Sequence, residues 1–152
     1  MIEEGKKAPN FECLDEKENK VTLSSYKGKK LVLFFYPKDN TPGCTRESIA
    51  FSELKETFNE NNTEVVGVSK DSVKSHQSFC EKQNLSVQLL SDPETKMIQD
   101  YGVWQEKKNY GKTYMGVVRS TILINEEGVI DKIWSNVKVD GHAEKVLEEV
   151  SK

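Results

Sequence analysis

No Cys-x-x-Cys pair occurs in the 152 residues, and the three cysteines, Cys13, Cys44 and Cys80, are odd in number and widely spaced. That excludes an even disulfide framework and the paired-thiol patterns of zinc ribbons and dithiol redox sites. No stretch approaches the roughly 18 apolar residues a spanning helix needs, and the N-terminal MIEEGKKAPNFECL lacks the apolar segment of a secretory signal. Lys and Arg are scattered and the net charge is −3, so there is no basic footprint for nucleic acid or for an anionic membrane. Repeats, low-complexity tracts and Pro/Gly/Ser-rich linkers are also missing. What remains, with 31% charged and 36% hydrophobic residues, is a chain of ordinary domain size. The expectation is one cytoplasmic domain over residues 1–152, without structural metal.

The apolar pattern alternates between strand and helix periods. NFECL and KVTLSS are short alternating runs around DEKEN, which predicts an N-terminal β-hairpin. KLVLFFY is a continuous apolar run of the kind found in a central strand covered on both faces. TEVVGVS and VQLLS read as further strands, and DSVKSHQSFCEKQ between them as a helix capped by Asp71. DPETKMIQDYG predicts a short helix with Asp92 as cap, Pro93 in the first position and Gly102 past the end. STILIN and VIDKIWS flank EEG as a second hairpin, and GHAEKVLEEVSK closes the chain as an amphipathic helix. Together these give an α/β fold with a mixed central β-sheet flanked by helices.

The stretch PKDNTPGCT carries a thiol out of the central strand into a tight turn. With Thr41 as N-cap and Pro42 in the first helical position, Cys44 falls in the first turn of a helix whose Phe51, Leu54 and Phe58 form a core-facing stripe. Free N–H groups and the positive dipole end favour a thiolate there, and the same groups can hold an oxyanion beside the sulfur. The Thr41 hydroxyl can bond a bound oxygen. The plainer alternative is a capped helix with an ordinary buried cysteine.

FYPKDNTPGCTRE closely resembles the active-site segment of the peroxiredoxins, in particular the bacterioferritin-comigratory or peroxiredoxin Q subfamily with its P-x-x-x-T-x-x-C signature. Pro37, Thr41 and Cys44 fall on the signature positions, and VTLSSYKGKKLVLFFYPKD and RSTILINEEGVI are also similar to that subfamily. The resemblance implies a thioredoxin-like fold. It implies that Cys44 is the peroxidatic thiol attacking hydrogen peroxide or an organic hydroperoxide, and that Arg119 stabilises the thiolate and polarises the peroxide. Glu47 matches a glutamate that orients the arginine in similar proteins. No cofactor is implied. Negative charge builds on the leaving oxygen, so fixed N–H groups and a guanidinium suit the transition state. Read without the resemblance, Arg119 is a strand-end surface charge and Glu47 a helix-surface acid; Lys38 and Arg46 are solvated charges on either reading.

Attack on peroxide leaves a sulfenic acid, which further peroxide oxidises irreversibly unless a second thiol intervenes. The subfamily often places that resolving cysteine five residues after the peroxidatic one, where this chain has Ile49. Cys80, in the next predicted helix, matches the variant whose resolver comes from there; a one-cysteine enzyme resolved by an external thiol is the alternative. Cys13 reads as a strand residue, His76 as a solvated side chain near Cys80, and His142 carries no signal. The expectation is a monomeric or weakly dimeric thiol peroxidase recycled by a thioredoxin-type reductant. The competing reading is a redox sensor or binding module without turnover. Two thiols on separate packed helices seldom meet disulfide geometry, so the reduced form is expected to hold Cys44 and Cys80 apart, with the 71–83 segment unwinding on oxidation.

Overall fold

The computed structural model describes residues 2–152. In chain order its elements are β1 (Glu12–Asp15), β2 (Lys20–Thr22), a 3-10 turn (Leu23–Tyr26), β3 (Lys30–Phe35), α1 (Pro42–Glu60), β4 (Thr63–Ser69) and α2 (Val73–Gln83). They continue with β5 (Gln88–Ser91), α3 (Lys96–Asp100), β6 (Trp104–Asn109), β7 (Lys112–Val117), β8 (Ser120–Ile124), β9 (Ile130–Trp134) and α4 (His142–Val150). A seven-stranded mixed sheet has the order β2-β1-β5-β4-β3-β8-β9. β3, β4 and β5 run parallel, and the other pairings are antiparallel.

Parallel neighbours need a crossover, and α1 and α2 supply the two. Side chains of β3 alternate between two cores. Leu31, Leu33 and Phe35 join the cluster with α3 and the N-terminal segment, whereas Val32 and Phe34 pack with Phe51 and Phe58 of α1, Phe79 of α2 and Val146 of α4. Both faces are covered, which is why KLVLFFY reads as an unbroken apolar run. Gly67 on β4 pairs with Phe34 on one side and Leu89 on the other. A Cβ there would lie 2.7 Å from the Phe34 ring and 2.8 Å from Leu89, so glycine clears space for Phe34 to stack on Phe51 at a centroid distance of 4.6 Å. The ring stack seats α1 on the sheet.

The antiparallel β3–β8 pairing sets Phe35 opposite Ser120. The end of β3, the loop into α1 and the residue before β8 therefore share one end of the sheet. No helix among the described residues is long and apolar enough to cross a membrane.

Two local expectations are corrected. The cap of α2 is Ser72, whose hydroxyl accepts from Ser75 N at 3.1 Å. Asp71 is drawn elsewhere, accepting from Asp39 N at 2.9 Å and from the Ser69 hydroxyl at 2.6 Å. Pro93 does not open α3, because a turn closed by Thr95 N to Asp92 O at 3.0 Å comes first and the helix begins at Lys96. Asp92 still caps it at a distance, accepting from Ile98 N at 2.8 Å. The β6–β7 hairpin forms a separate two-stranded sheet that the sequence reading left out.

Candidate active site

Thr41 adopts extended backbone at the N-cap of α1, Pro42 follows in the first turn, and Thr45 N donates to Thr41 O at 2.9 Å as the first helical bond. Pro42 has no N–H, and the amides of Gly43 and Cys44, ahead of that first bond, have no intrahelical acceptors. The Thr41 hydroxyl does not cap the helix; it donates back to Lys38 O at 2.8 Å, closing the loop that Pro37 begins. Its lone pairs stay available.

Cys44 is buried, 1% exposed. Arg119 Nη2 donates to its Sγ at 3.3 Å, and Nη1 of the same guanidinium donates to Glu47 Oε1 at 2.6 Å. Glu47, one turn along α1, is equally buried, and its Oε2 has no hydrogen-bond partner among the described residues. Burial raises the Glu47 carboxyl from 4.5 to about 7, with Arg119 pulling the other way. Burial also opposes the charge on Arg119, yet Glu47 and Cys44 outweigh it and hold the guanidinium above its ordinary value. The asymmetry follows from water: the Arg119 side chain keeps 17% of its surface exposed and Glu47 only 2%. The arginine backbone is pinned by Val137 N to Arg119 O at 2.9 Å.

Thr41, Cys44, Glu47 and Arg119 are thus brought together at the end of the sheet, with Pro37 at the start of the same loop. Gly43 was missed by sequence reasoning. A Cβ there would stand 3.2 Å from Arg119 Nη2, tighter than ordinary contact, so the small residue between Pro42 and Cys44 lets the guanidinium lie against the helix end. Arg46 and Lys38 are exposed, Arg46 reaching Asp140 at 3.7 Å.

Cys80 is not in this cluster. It is half-buried on α2 and opens onto a recess that Glu16, Lys17, Lys55 and Gln88 also line. Burial, then Glu16 and Asp39, push its thiol up to about 12, with Lys17 opposing. Both thiols are free. Cys13 lies in the opposite core, its sulfur 3.8 Å from that of Met97, and burial followed by Asp92 likewise raises it to about 12.

The expectation of a solvated His76 is overturned. Its ring is fully buried, with Nδ1 at 2.7 Å from Asp39 Oδ2 and Nε2 at 2.9 Å from Leu90 O. Flanking polar residues gave no hint, because the partners come from β3's exit loop and from β5. His142 is buried too, with Nε2 at 2.7 Å from the Thr121 hydroxyl and its ring edge-on to Phe51 and Trp134. Burial, then Lys145 and Arg119, lowers it to about 4, so it is neutral at pH 7.

A thioredoxin-like mixed sheet that sets a cysteine at a helix N-terminus under a guanidinium defines the class of thiol-based redox enzymes. The profile of the AhpC/TSA family matches residues 4–133. Peroxiredoxin Bcp of Bacillus subtilis is 48% identical over 147 residues, covering 97% of this chain and 94% of that one. Among solved structures, a PrxQ mutant from Xylella fastidiosa superposes with a TM-score of 0.95 at 40% identity, covering 99% and 96% of the two chains. The Xanthomonas campestris bacterioferritin comigratory protein gives 0.89 at 39% identity, covering 93% and 90%. The chain belongs to the AhpC/TSA family, within its Bcp or peroxiredoxin Q group, and is a thiol peroxidase.

Proposed function

We propose that Cys44 is the peroxidatic cysteine, that Cys80 resolves its sulfenic acid, and that a thioredoxin-type reductant recycles the disulfide. The observation that carries this reading is the 3.3 Å contact between Arg119 Nη2 and Cys44 Sγ at the N-terminus of α1. The Cys44 thiolate attacks the terminal oxygen of a hydroperoxide, an S–O bond forms as the O–O bond breaks, and the alkoxide or hydroxide that leaves takes a proton from water. Arg119 steadies the thiolate and then the charge that spreads over both oxygens, while the amides of Gly43 and Cys44 supply further fixed donors. Thr41, its hydrogen already directed to Lys38 O, accepts from the hydroperoxide O–H and so orients the O–O bond. Glu47 holds the guanidinium in place, and Pro37 shapes the loop that closes over the sulfur.

Support for Cys80 comes from the Xanthomonas campestris peroxiredoxin Q, solved with either of two cysteines changed to serine; those two have the same separation in sequence as Cys44 and Cys80. The described alkyl peroxide reduction of the bacterioferritin comigratory protein supports organic hydroperoxides as substrates alongside hydrogen peroxide. The whole chain, 1–152, acts as one domain, as a monomer or weak dimer, in the reducing environment of the cytoplasm.

The test is peroxide consumption with thioredoxin and its reductase supplied. Many turnovers per chain, with a Cys44–Cys80 disulfide found by peptide mapping, are expected. A single oxidation event per chain would replace catalysis with redox sensing, and turnover without that disulfide would leave the one-cysteine mechanism.

A further inference from the structure

A buried polar knot, separate from the thiol site, ties together the two segments that carry Cys44 and Cys80. Its centre is the Asp39 carboxylate, in the loop between β3 and α1, with a side chain 1% exposed. Oδ1 accepts from the Tyr36 hydroxyl at 2.7 Å; Oδ2 accepts from the Ser75 hydroxyl at 2.8 Å and meets His76 Nδ1 at 2.7 Å. Ser75 and His76 lie in the first turn of α2. Asp39 N donates to Asp71, just ahead of that helix, and Ser91 on β5 donates to Asp71 O at 2.6 Å.

Hydrogen counting makes this knot strict. Leu90 O can only accept, so His76 Nε2 carries a hydrogen. Nδ1 faces a carboxylate oxygen, so a further proton must lie between the two, on either side; without it a lone pair would face a lone pair. The pair is therefore satisfied only while His76 and Asp39 stay together. Removing one partner from such a buried pair leaves the other desolvated and unpaired.

The apolar anchorage of α2 is thin by comparison. Phe79 is the one hydrophobic residue among Val73–Gln83 that is fully buried, with Val73 and Cys80 partly exposed. We infer that the Asp39–Ser75–His76 knot is the latch that holds α2 against the loop preceding Cys44 and so sets how often Cys80 is released to resolve the sulfenic acid. The inference rests on the proposed role of Cys80. Resolution requires the Cys80 thiol to lose its proton and attack the Cys44 sulfenic sulfur. The S–S bond forms as the S–O bond breaks, and the departing hydroxide takes up a proton and leaves as water. In its recess the thiol is held protonated by burial and by Glu16, so release from α2's seat also restores its ordinary acidity.

The experiment compares the wild type with Ser75→Ala and His76→Gln, the second retaining a donor toward Leu90 O while losing the Asp39 contact. Three quantities are read: hydrogen exchange of residues 71–83 in the reduced protein, the rate of Cys44 oxidation by peroxide, and the rate of disulfide formation after it. For Ser75→Ala, loss of one net hydrogen bond predicts about fivefold faster exchange and about fivefold faster disulfide formation; His76→Gln, which leaves Asp39 without its buried partner, exceeds that in both, and in either variant the oxidation step changes less than about twofold. A residue that merely supports the fold would slow both chemical steps together. Ser75→Ala is the milder change and decides the matter if His76→Gln fails to fold. Unchanged exchange, or faster exchange with an unchanged or slower disulfide step, overturns the latch while leaving Cys80 as resolver. Absence of any Cys44–Cys80 disulfide in the wild type overturns both.

Discussion

Cys44 and Cys80 are both withdrawn from water, one at the start of α1 and the other in the third turn of α2, yet their surroundings differ in sign. Around Cys44 stand a guanidinium at 3.3 Å and the free amides of a helix N-terminus. At Cys80 burial, then Glu16 and Asp39, push the thiol up to about 12 against a smaller opposing effect of Lys17. What separates the two is whether positive groups are aimed at the sulfur, and that is decided by backbone: α1 begins one residue before Gly43, whereas Cys80 sits too deep in its helix to see a free N–H.

The sharpest way to break this contrast is Cys44→Ser, for which peroxide consumption should fall more than ~10³-fold, with the far-ultraviolet spectrum unchanged; substantial residual turnover would move the chemistry to another sulfur. Next comes Arg119→Lys. A point ammonium cannot donate to Sγ and Glu47 at once, so the second-order rate constant with peroxide should drop about a hundredfold, and a stopped-flow value near the wild type would detach Arg119 from the reaction. On the proposed mechanism, Cys80→Ser should reduce the first equivalent of peroxide at the wild-type rate and then slow thioredoxin-driven turnover about tenfold or more, since the sulfenic acid would lose its internal partner. Equal steady-state rates would show that Cys80's quiet environment has no catalytic counterpart.

The smallest effect concerns Glu47. Its folded value, about 7, lies above the ordinary 4.5, so its contribution to stability is fully present below about pH 4.5 and is lost as pH rises through 7. His142, lowered to about 4, contributes in the opposite sense, with stability present above its ordinary 6.5 and lost as pH falls toward 4. Comparing wild type with Glu47→Gln cancels that second term. The difference in melting temperature, wild type minus variant, should decline between pH 5 and pH 8; a constant difference would mean that Glu47 stays ionised throughout.

The strands and the long helix were legible because their apolar residues follow the backbone's own period, and Cys44 was legible because Thr41, Pro42 and the Phe51/Phe58 stripe fix where α1 begins. Arg119 and Glu47 needed the resemblance, since neither residue's neighbours reveal that β8 pairs with β3 and brings the two side chains together. His76 defeated the reading for the same reason: Asp39 and Leu90 are distant in sequence and adjacent only once β3, β4 and β5 have assembled. Asp71 shows how a tertiary partner overrides a local rule, its carboxylate leaving the cap position to Ser72. The β6–β7 hairpin, with its charged and exposed residues, gave too little alternation to be seen.

The crossover topology has a kinetic consequence. α2 spans two strands, β4 and β5, that stay hydrogen-bonded to each other from Val66–Gln88 to Ser69–Ser91. If the helix lets go, its two ends remain anchored on neighbouring strands, three residues apart in register, and the freed segment is a closed loop instead of a dangling arm. Cys80 then searches a small volume, at an effective concentration on the order of millimolar for a short flexible tether. On the proposed role of Cys80, the strand pairing would fix the local supply of resolving thiol and the helix only when that supply is open, with no movement of the sheet required for a disulfide to form.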